Sequence, residues 1–378
     1  MHGGNLLDAS AQYGRENFID LSANINPFGP PQGVWEALQK GVANIIHYPD
    51  PNYRRLRGKM AEYYALNDEE ILLGNGAGEL IFLILHGLRP RKVLIPQPAF
   101  SEYERAALAC GAEVNKLILG VKGWGELSFQ DEESHREWEQ ALAENELVFI
   151  NSPHNPTGSA LSKQQFEVIL NLALKHQTWV VLDESFVDFM EDETRWSGKA
   201  YLRRYPNLLV LYSLTKFYAI PGLRLGAVFG AAKLLGRLQE QRDPWAVNSL
   251  AEEAGLAALA DAEYGKRVRE LLQASKESFY RSFAEGSKEK KYSDLRLYFS
   301  EVNFALIQVL EAKDSGTDRG DAGKRKKTLI QELGKQGILV RDCGNFAGLE
   351  GNYIRVAIKD QESMNSLLAG FKMLDNSC

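Results

Sequence analysis

Short apolar runs alternate with longer amphipathic ones through the middle of the chain, and this alternation restricts the fold more than any other feature. Candidate strands lie at 71–73, 92–95, 146–150, 179–182, 208–212 and 227–229, with helical stretches between them that include 79–88, 101–110 and 163–175. A strand covered by helices on both faces reads as a continuous apolar run, not as an alternating one. The pattern therefore predicts an α/β protein with a mostly parallel central sheet flanked by helices. Ligands of such sheets gather outside the carboxyl ends of the strands. At 378 residues the chain is long for one core. Its character changes near Asn248 to long helical patterns over 252–285, followed by shorter strands near 304–310 and 354–358. We read a large ligand-binding domain at 45–247 and a smaller α+β domain made of 1–44 and 248–378. The charged runs 313–327 and 288–291 read as solvated segments.

Three of the apolar runs end in polar residues with complementary chemistry. After the run at 208–212 comes Ser213-Leu214-Thr215-Lys216, continuing to Pro221-Gly222-Leu223-Arg224. A lysine amine that is desolvated or flanked by cations loses basicity and becomes a nucleophile toward aldehydes. Ser213 and Arg224 are suited to grip a phosphate beside it. The run Thr178-Trp179-Val180-Val181-Leu182 delivers Asp183, a carboxylate able to face a basic ring nitrogen. The run Val148-Phe149-Ile150 leads into Asn151-Ser152-Pro153-His154-Asn155-Pro156-Thr157-Gly158, where Asn155 can present an amide to a ring oxygen. Singly, a strand-end Asp also serves as a helix cap or metal ligand, and Asn-Pro also serves as a turn. In the order Asn155, Asp183, Lys216, the set fits a phosphorylated aldehyde cofactor with a heterocyclic ring, as pyridoxal 5'-phosphate is. Gly74-Asn75-Gly76-Ala77-Gly78-Glu79 follows a strand and opens a helix, a setting in which backbone N–H groups approach a phosphate.

With these segments, Asp20-Leu21-Ser22-Ala23-Asn24-Ile25-Asn26-Pro27 and Tyr353-Ile354-Arg355-Val356-Ala357 make the chain resemble, over nearly its whole length, the fold-type I pyridoxal-phosphate enzymes of the class I/II aminotransferase group. The resemblance implies Lys216 and Asp183 as catalytic residues. It implies a phosphate cradle of Gly76, Ala77 and Gly78 completed by Ser213 and Arg224, with Phe100 stacked on the pyridine face. From the residues alone, Phe100 reads as a core phenylalanine. Tyr48 resembles the tyrosine that reaches the cofactor phosphate of a neighbouring subunit, which implies a homodimer with shared active sites. Arg355 matches the arginine that pairs with a substrate α-carboxylate, a planar group suited to a guanidinium fork. Arg341, either a surface charge or a second anion site, lies near it in this reading. His2, Asn24 and Asn26 are implied to fold over the site, and Asn155 to touch both cofactor and substrate. Many relatives carry a tyrosine three residues after the aspartate; here Phe186 stands there and offers no donor to the ring oxygen. Together with His2-Gly3-Gly4-Asn5 and Pro244-Trp245-Ala246-Val247-Asn248, this resembles the branch that decarboxylates small phosphorylated amino acids. Histidinol-phosphate aminotransferases are the relatives of different activity to weigh against it.

A net charge of −6 and a pI near 5.7 argue against nucleic acid and anionic membranes as partners. An anionic substrate must then be drawn by a local arginine cluster. Cys110, Cys343 and Cys378 are widely spaced, as reduced thiols of a cytosolic protein are, and form neither a disulfide framework nor a metal site. The opening residues lack a basic and apolar signal region, and no apolar run reaches the ~20 residues of a membrane helix. We expect a cytoplasmic protein.

Overall fold

The computed structural model describes residues 3–191, 195–310, 322–349 and 351–372. A short N-terminal strand, β1 (Ile19–Asp20), is followed by seven strands of one sheet. These are β2 (Ile71–Gly74), β3 (Lys92–Gln97), β4 (Glu113–Ile118), β5 (Leu147–Asn151), β6 (Trp179–Asp183), β7 (Leu208–Ser213) and β8 (Gly226–Gly230). Their spatial order is β2-β8-β7-β6-β5-β3-β4. All the pairings from β7 across to β4 are parallel, whereas β8 runs antiparallel to both β7 and β2. The mostly parallel sheet expected from the sequence is thus present, together with β4, which was not anticipated. Only Leu117 of β4 is buried, so this edge strand lacks the continuous apolar run that marks the others.

The central strands are hidden on both faces. Val148, Ile150, Val180, Leu182, Leu208 and Val210 join one core, with Phe166 and Ile169 from the helix Lys163–Lys175. Phe149, Val181, Leu209 and Leu211 join the other, with Leu80, Ile84 and Tyr103 from helices Gly76–Leu88 and Ser101–Ala109. Each fully buried aliphatic side chain of this kind contributes roughly 1.5–3 kcal/mol of apolar burial. The helix Lys163–Lys175 starts at Ser162, which forms a capping box with Gln165 and so satisfies amides the helix leaves open.

The second sheet contains β9 (Leu295–Leu297), β10 (Phe304–Val309), β12 (Arg341–Asp342) and β13 (Tyr353–Ala357), in the order β12-β13-β10-β9 and antiparallel throughout. Between them, β11 (Ile338–Leu339) pairs in parallel with β1, which ties the N-terminal segment to this sheet. The helical pattern over 252–285 resolves into two helices, Ser249–Ala260 and Tyr264–Lys288. One expectation is corrected. Residues 313–321 of the charged run lie outside the described residues, but its remainder opens the helix Ala322–Lys335. There Lys326 is buried and donates to Asp342 Oδ1 at 2.6 Å, because a cation can sink beneath a surface when a carboxylate meets it. Among the described residues no helix is long and apolar enough to cross a membrane.

Candidate active site

The register of the sheet gathers the strand-end residues at one edge. Asn151 lies opposite Asp183, Asp183 opposite Leu211, and Ser213 opposite Gly226, which in turn pairs with Gly74. Asn155, Asp183, Ser213, Lys216, Arg224, Phe100, Ala77 and Gly78 all line one cavity of about 1020 Å³ there.

Lys216 follows β7 in a single helical turn, Leu214–Phe217. Its Nζ donates to Ser213 Oγ at 3.2 Å and lies 5.5 Å from the centre of the Phe186 ring. Burial lowers the amine's pKa, and the Arg224 and Arg355 cations push in the same direction while Asp183 opposes them. This is the setting of a lysine that can act as a nucleophile. Around it, Ser213 Oγ shares a 2.7 Å hydrogen bond with Thr215 Oγ1. Thr215 also lines the cavity and was not singled out from the sequence.

The phosphate-sized recess lies between the start of the helix Gly76–Leu88 and Arg224. Gly76 has φ +77°, and a Cβ on it would overlap Arg224 Nη2 and sit 2.9 Å from Cζ. A Cβ on Gly226 would stand 2.8 Å from the Ala77 amide nitrogen. Both glycines therefore let backbone and guanidinium close around a small space whose walls offer N–H groups and positive charge.

Asp183 is 4 % exposed, and both carboxylate oxygens are engaged. Oδ1 accepts from the Ser185 amide at 2.8 Å, and Oδ2 accepts from the Tyr103 hydroxyl at 2.5 Å. Tyr103 was not anticipated as part of the site. Its spacing three residues after Phe100, on one helical face, was the available signal. Phe100 forms a wall of the cavity and meets Tyr103 edge-on, with ring centres 5.7 Å apart. Asn155 Oδ1 accepts from Arg355 Nη1 at 2.5 Å, so its own amide nitrogen is left to donate.

Arg355 sits on β13 directly opposite Arg341 on β12. Both are buried. Burial, reinforced by the neighbouring Arg341, brings the Arg355 pKa down to about 10, so it is still a cation at neutral pH. Its Nη2 donates to the Ser22 carbonyl at 2.8 Å, and its Nε is buried with no hydrogen-bond partner. Arg341 donates to Asn345 Oδ1 at 2.7 Å. Two guanidiniums held side by side out of water call for anionic ligands.

The N-terminal candidates divide. Both side-chain atoms of Asn24 are buried without hydrogen-bond partners. Asn26 corrects the expectation of substrate contact. Its amide donates to Phe217 O and Tyr264 Oη at 2.8 Å each and accepts from the Phe28 amide, while its backbone N–H bonds Lys216 O at 3.0 Å. It is a strut beneath the lysine turn. His2 lies outside the described residues. Gly4 N–H donates to Ser22 Oγ at 2.8 Å, and a Cβ on Gly3 would overlap the Ser22 carbonyl oxygen, so this segment is seated beside Arg355. Tyr48 is not among the cavity-lining residues; it is 81 % exposed and packs on Trp245 with ring centres 4.6 Å apart.

These residues fit pyridoxal phosphate: a glycine recess a Cβ would fill, a buried carboxylate, an amine of lowered pKa, and orphaned Arg355 and Asn24 atoms beyond them. The sequence matches the family model described as aminotransferase class I and II over residues 16–371. It is 32 % identical to the threonine-phosphate decarboxylase of Salmonella typhimurium, covering 98 % of this chain and 95 % of that protein. It is 31 % identical to histidinol-phosphate aminotransferase 2 of Archaeoglobus fulgidus, covering 94 % and 92 %. The histidinol-phosphate aminotransferase of Sinorhizobium meliloti, solved in complex with pyridoxal-5'-phosphate, shares the fold with a TM-score of 0.81. It is 19 % identical and covers 100 % of this chain and 96 % of that one.

Proposed function

The chain belongs to the class I and II aminotransferase family, whose cofactor is pyridoxal 5'-phosphate, and from that membership we propose that it is a carboxy-lyase acting on L-threonine O-3-phosphate. The products are CO2 and (R)-1-amino-2-propanol O-2-phosphate, a building block of cobalamin. What carries the reading is the fitted seat of Gly3 and Gly4 on Ser22, whose carbonyl also holds Arg355. Gly3 and Gly4, from the opening that resembles the decarboxylase branch, therefore stand beside the guanidinium assigned to the substrate carboxylate. Phe186, which gives no hydroxyl to the ring oxygen, supports the same reading.

Bound in the cavity, pyridoxal phosphate supplies an aldehyde for the substrate amine and a protonated ring that accepts the electron pair left at Cα. Ala77, Gly78, Ser213 and Arg224 would hold its phosphate, Asp183 would meet its ring nitrogen, Phe100 would pack against the ring and Asn155 would donate to its ring oxygen. Arg355 takes the substrate's α-carboxylate, and Arg341 and Asn24 take its phosphate. Gripping two anions on one small molecule fixes the rotation about Cα. Which Cα bond breaks would then follow from how Arg355 and the phosphate-binding groups orient the substrate: exposing the Cα–carboxylate bond to the cofactor would release CO2, and exposing the Cα–H bond would give transamination. Lys216 Nζ, its basicity reduced by burial, then delivers a proton to Cα.

The test is incubation of the holoenzyme with O-phospho-L-threonine without any oxo acid. Release of CO2 and a phosphorylated amine in equal amounts is expected. A requirement for 2-oxoglutarate, with histidinol phosphate consumed, would instead assign the chain to the aminotransferases, a reading its similarity to the Archaeoglobus fulgidus protein supports. O-phosphoserine lacks one methyl and differs by only ~1–3 kcal/mol in such a pocket. The same reading makes the enzyme a cytoplasmic homodimer with shared sites. Exposed Ile45, Ile46, Tyr48 and Trp245 form an apolar patch that supports a second copy at this face.

A further inference from the structure

We propose that Tyr103 is a positioning residue for Asp183, holding the carboxylate in place so that the ring nitrogen carries the proton. The inference rests on the reading that Asp183 faces that nitrogen. Tyr103 is 1 % exposed, and its ring is stacked on Phe149 with centres 4.7 Å apart and planes within 9°. Phe100 abuts it edge-on. The phenol therefore has one orientation, and in it the hydroxyl donates to Asp183 Oδ2 at 2.5 Å. The Ser185 amide fixes Oδ1 in the same way. A plain packing residue at this point in the core would need no hydroxyl, and a buried hydroxyl without a partner would be a liability.

Geometry decides the consequence. Asp183 is closed off from water, and its two donors stand in for the lost solvation. With two donors in place the proton shared with the ring nitrogen rests on the ring. Without the phenol, the carboxylate competes for that proton and the ring loses positive charge. Lys216 reports this, because the cofactor–Lys216 linkage protonates more easily when the positive charge on the ring is lost. Asp183, Arg224 and Arg355 are the charged groups that act on Lys216, and the tyrosine exchange leaves all three in place.

The experiment compares wild-type holoenzyme with Tyr103→Phe and Asp183→Asn, following the cofactor's visible absorption against pH and cofactor affinity by titration of apoenzyme. Tyr103→Phe keeps the stacked ring. We expect its absorption midpoint to rise, its cofactor Kd to weaken on the order of tenfold, and kcat to fall with little change in KM. Asp183→Asn should move both readouts further. If Tyr103→Phe matches wild type while Asp183→Asn moves both, the tyrosine only packs and the proposal fails, with the Asp183 reading intact. If neither variant moves them, the Asp183 reading fails and takes the proposal with it. Should Tyr103→Phe not fold, 3-fluorotyrosine at position 103 keeps the shape and strengthens the donor. Its midpoint is expected to move downward, and an unmoved or rising midpoint overturns the proposal.

Discussion

Replacing Gly76 with alanine separates what the phosphate recess does for folding from what it does for binding. Gly76 has φ +77°, where an L side chain costs roughly 1–2 kcal/mol. The new Cβ would also overlap Arg224 Nη2 and lie 2.9 Å from Cζ. Arg224 is an exposed residue, so its guanidinium can swing away with little loss to the fold. That movement removes a charged donor from the place where the cofactor phosphate sits. A hydrogen bond to a charged group is worth about 1.5–3 kcal/mol, which corresponds to cofactor Kd weakening by about 10- to 150-fold. Urea unfolding of the apoenzyme should register only the backbone cost, while cofactor titration should register the loss of grip. Because the effect runs through Arg224, Gly76→Ala in an Arg224→Ala background should weaken cofactor binding little further. The reasoning fails if Gly76→Ala lowers apoenzyme stability as expected yet binds cofactor as wild type does. It also fails if the two substitutions weaken binding independently.

Three other perturbations bear on the same edge of the sheet. Arg355→Ala should lower kcat/KM by the ~2–5 kcal/mol lost when a buried carboxylate forfeits its charged partner, and unchanged kinetics would remove Arg355 from the carboxylate site. Lys216→Met should stabilise the apoenzyme to urea at neutral pH. The folded state holds the Lys216 pKa below its unfolded value near ~10.4, so the unfolded chain binds more protons between the two. The penalty is therefore full below the folded pKa and vanishes as pH rises past the unfolded one. A stabilisation that does not shrink between neutral pH and the alkaline limit would contradict this. Glu184→Gln should destabilise the protein by about 3–5 kcal/mol, since it leaves Lys199 buried without its carboxylate. Glu184 accepts from Lys199 Nζ at 2.8 Å, the Gly198 amide at 2.6 Å and Ser197 Oγ at 2.8 Å. A urea midpoint equal to wild type would show that the ring faces of Tyr64, Tyr212 and Phe229, 4.7 to 5.0 Å from Lys199 Nζ, suffice for the cation.

The half of the site that grips the cofactor was legible in the sequence because strand ends are legible. A buried parallel strand is a run of apolar residues, and the first polar residue after it must lie at the edge where ligands bind. Asp183 and Ser213 are such residues, and Asn155 and Lys216 follow within one turn of such ends. What could not be read was set by approach in three dimensions. Tyr103 reaches Asp183 only because the helix Ser101–Ala109 packs on the sheet face carrying Phe149, 80 residues away in sequence from the carboxylate it serves. Asn26 looked like a ligand because a polar loop residue carries no mark of whether its hydrogen bonds go inward. Here Phe217 O and Tyr264 Oη claim them. The exposed edge strand β4 was missed for the converse reason, since it has little apolar surface to bury.

This division has a chemical consequence. Most of the groups proposed to hold the cofactor come from β5, β6, β7 and the loops leaving them, with Ala77 and Gly78 after β2 and Phe100 after β3, and on such strands a shift of one residue would turn a buried side chain to the opposite core. The groups proposed to hold substrate come from β12, β13 and the segment around Ser22, which the short β1–β11 pair and the Arg355–Ser22 contact help to join. Ala357 N–H also bonds Leu21 O at 2.7 Å and Asn303 Nδ2 donates to Asn24 O at 3.2 Å, and contacts of this kind to main-chain carbonyls ask little of the side chains at 21 and 24. The reaction can therefore change between decarboxylation and transamination while the cofactor grip and the central sheet remain as they are. Proteins named for both activities match this one at 31–32 % identity over almost its full length, as such a division allows. Under the proposed assignments, residues near Ser22, Asn24, Arg341 and Arg355, and not those around Lys216, are where we expect a change of substrate and of the bond that breaks to be written.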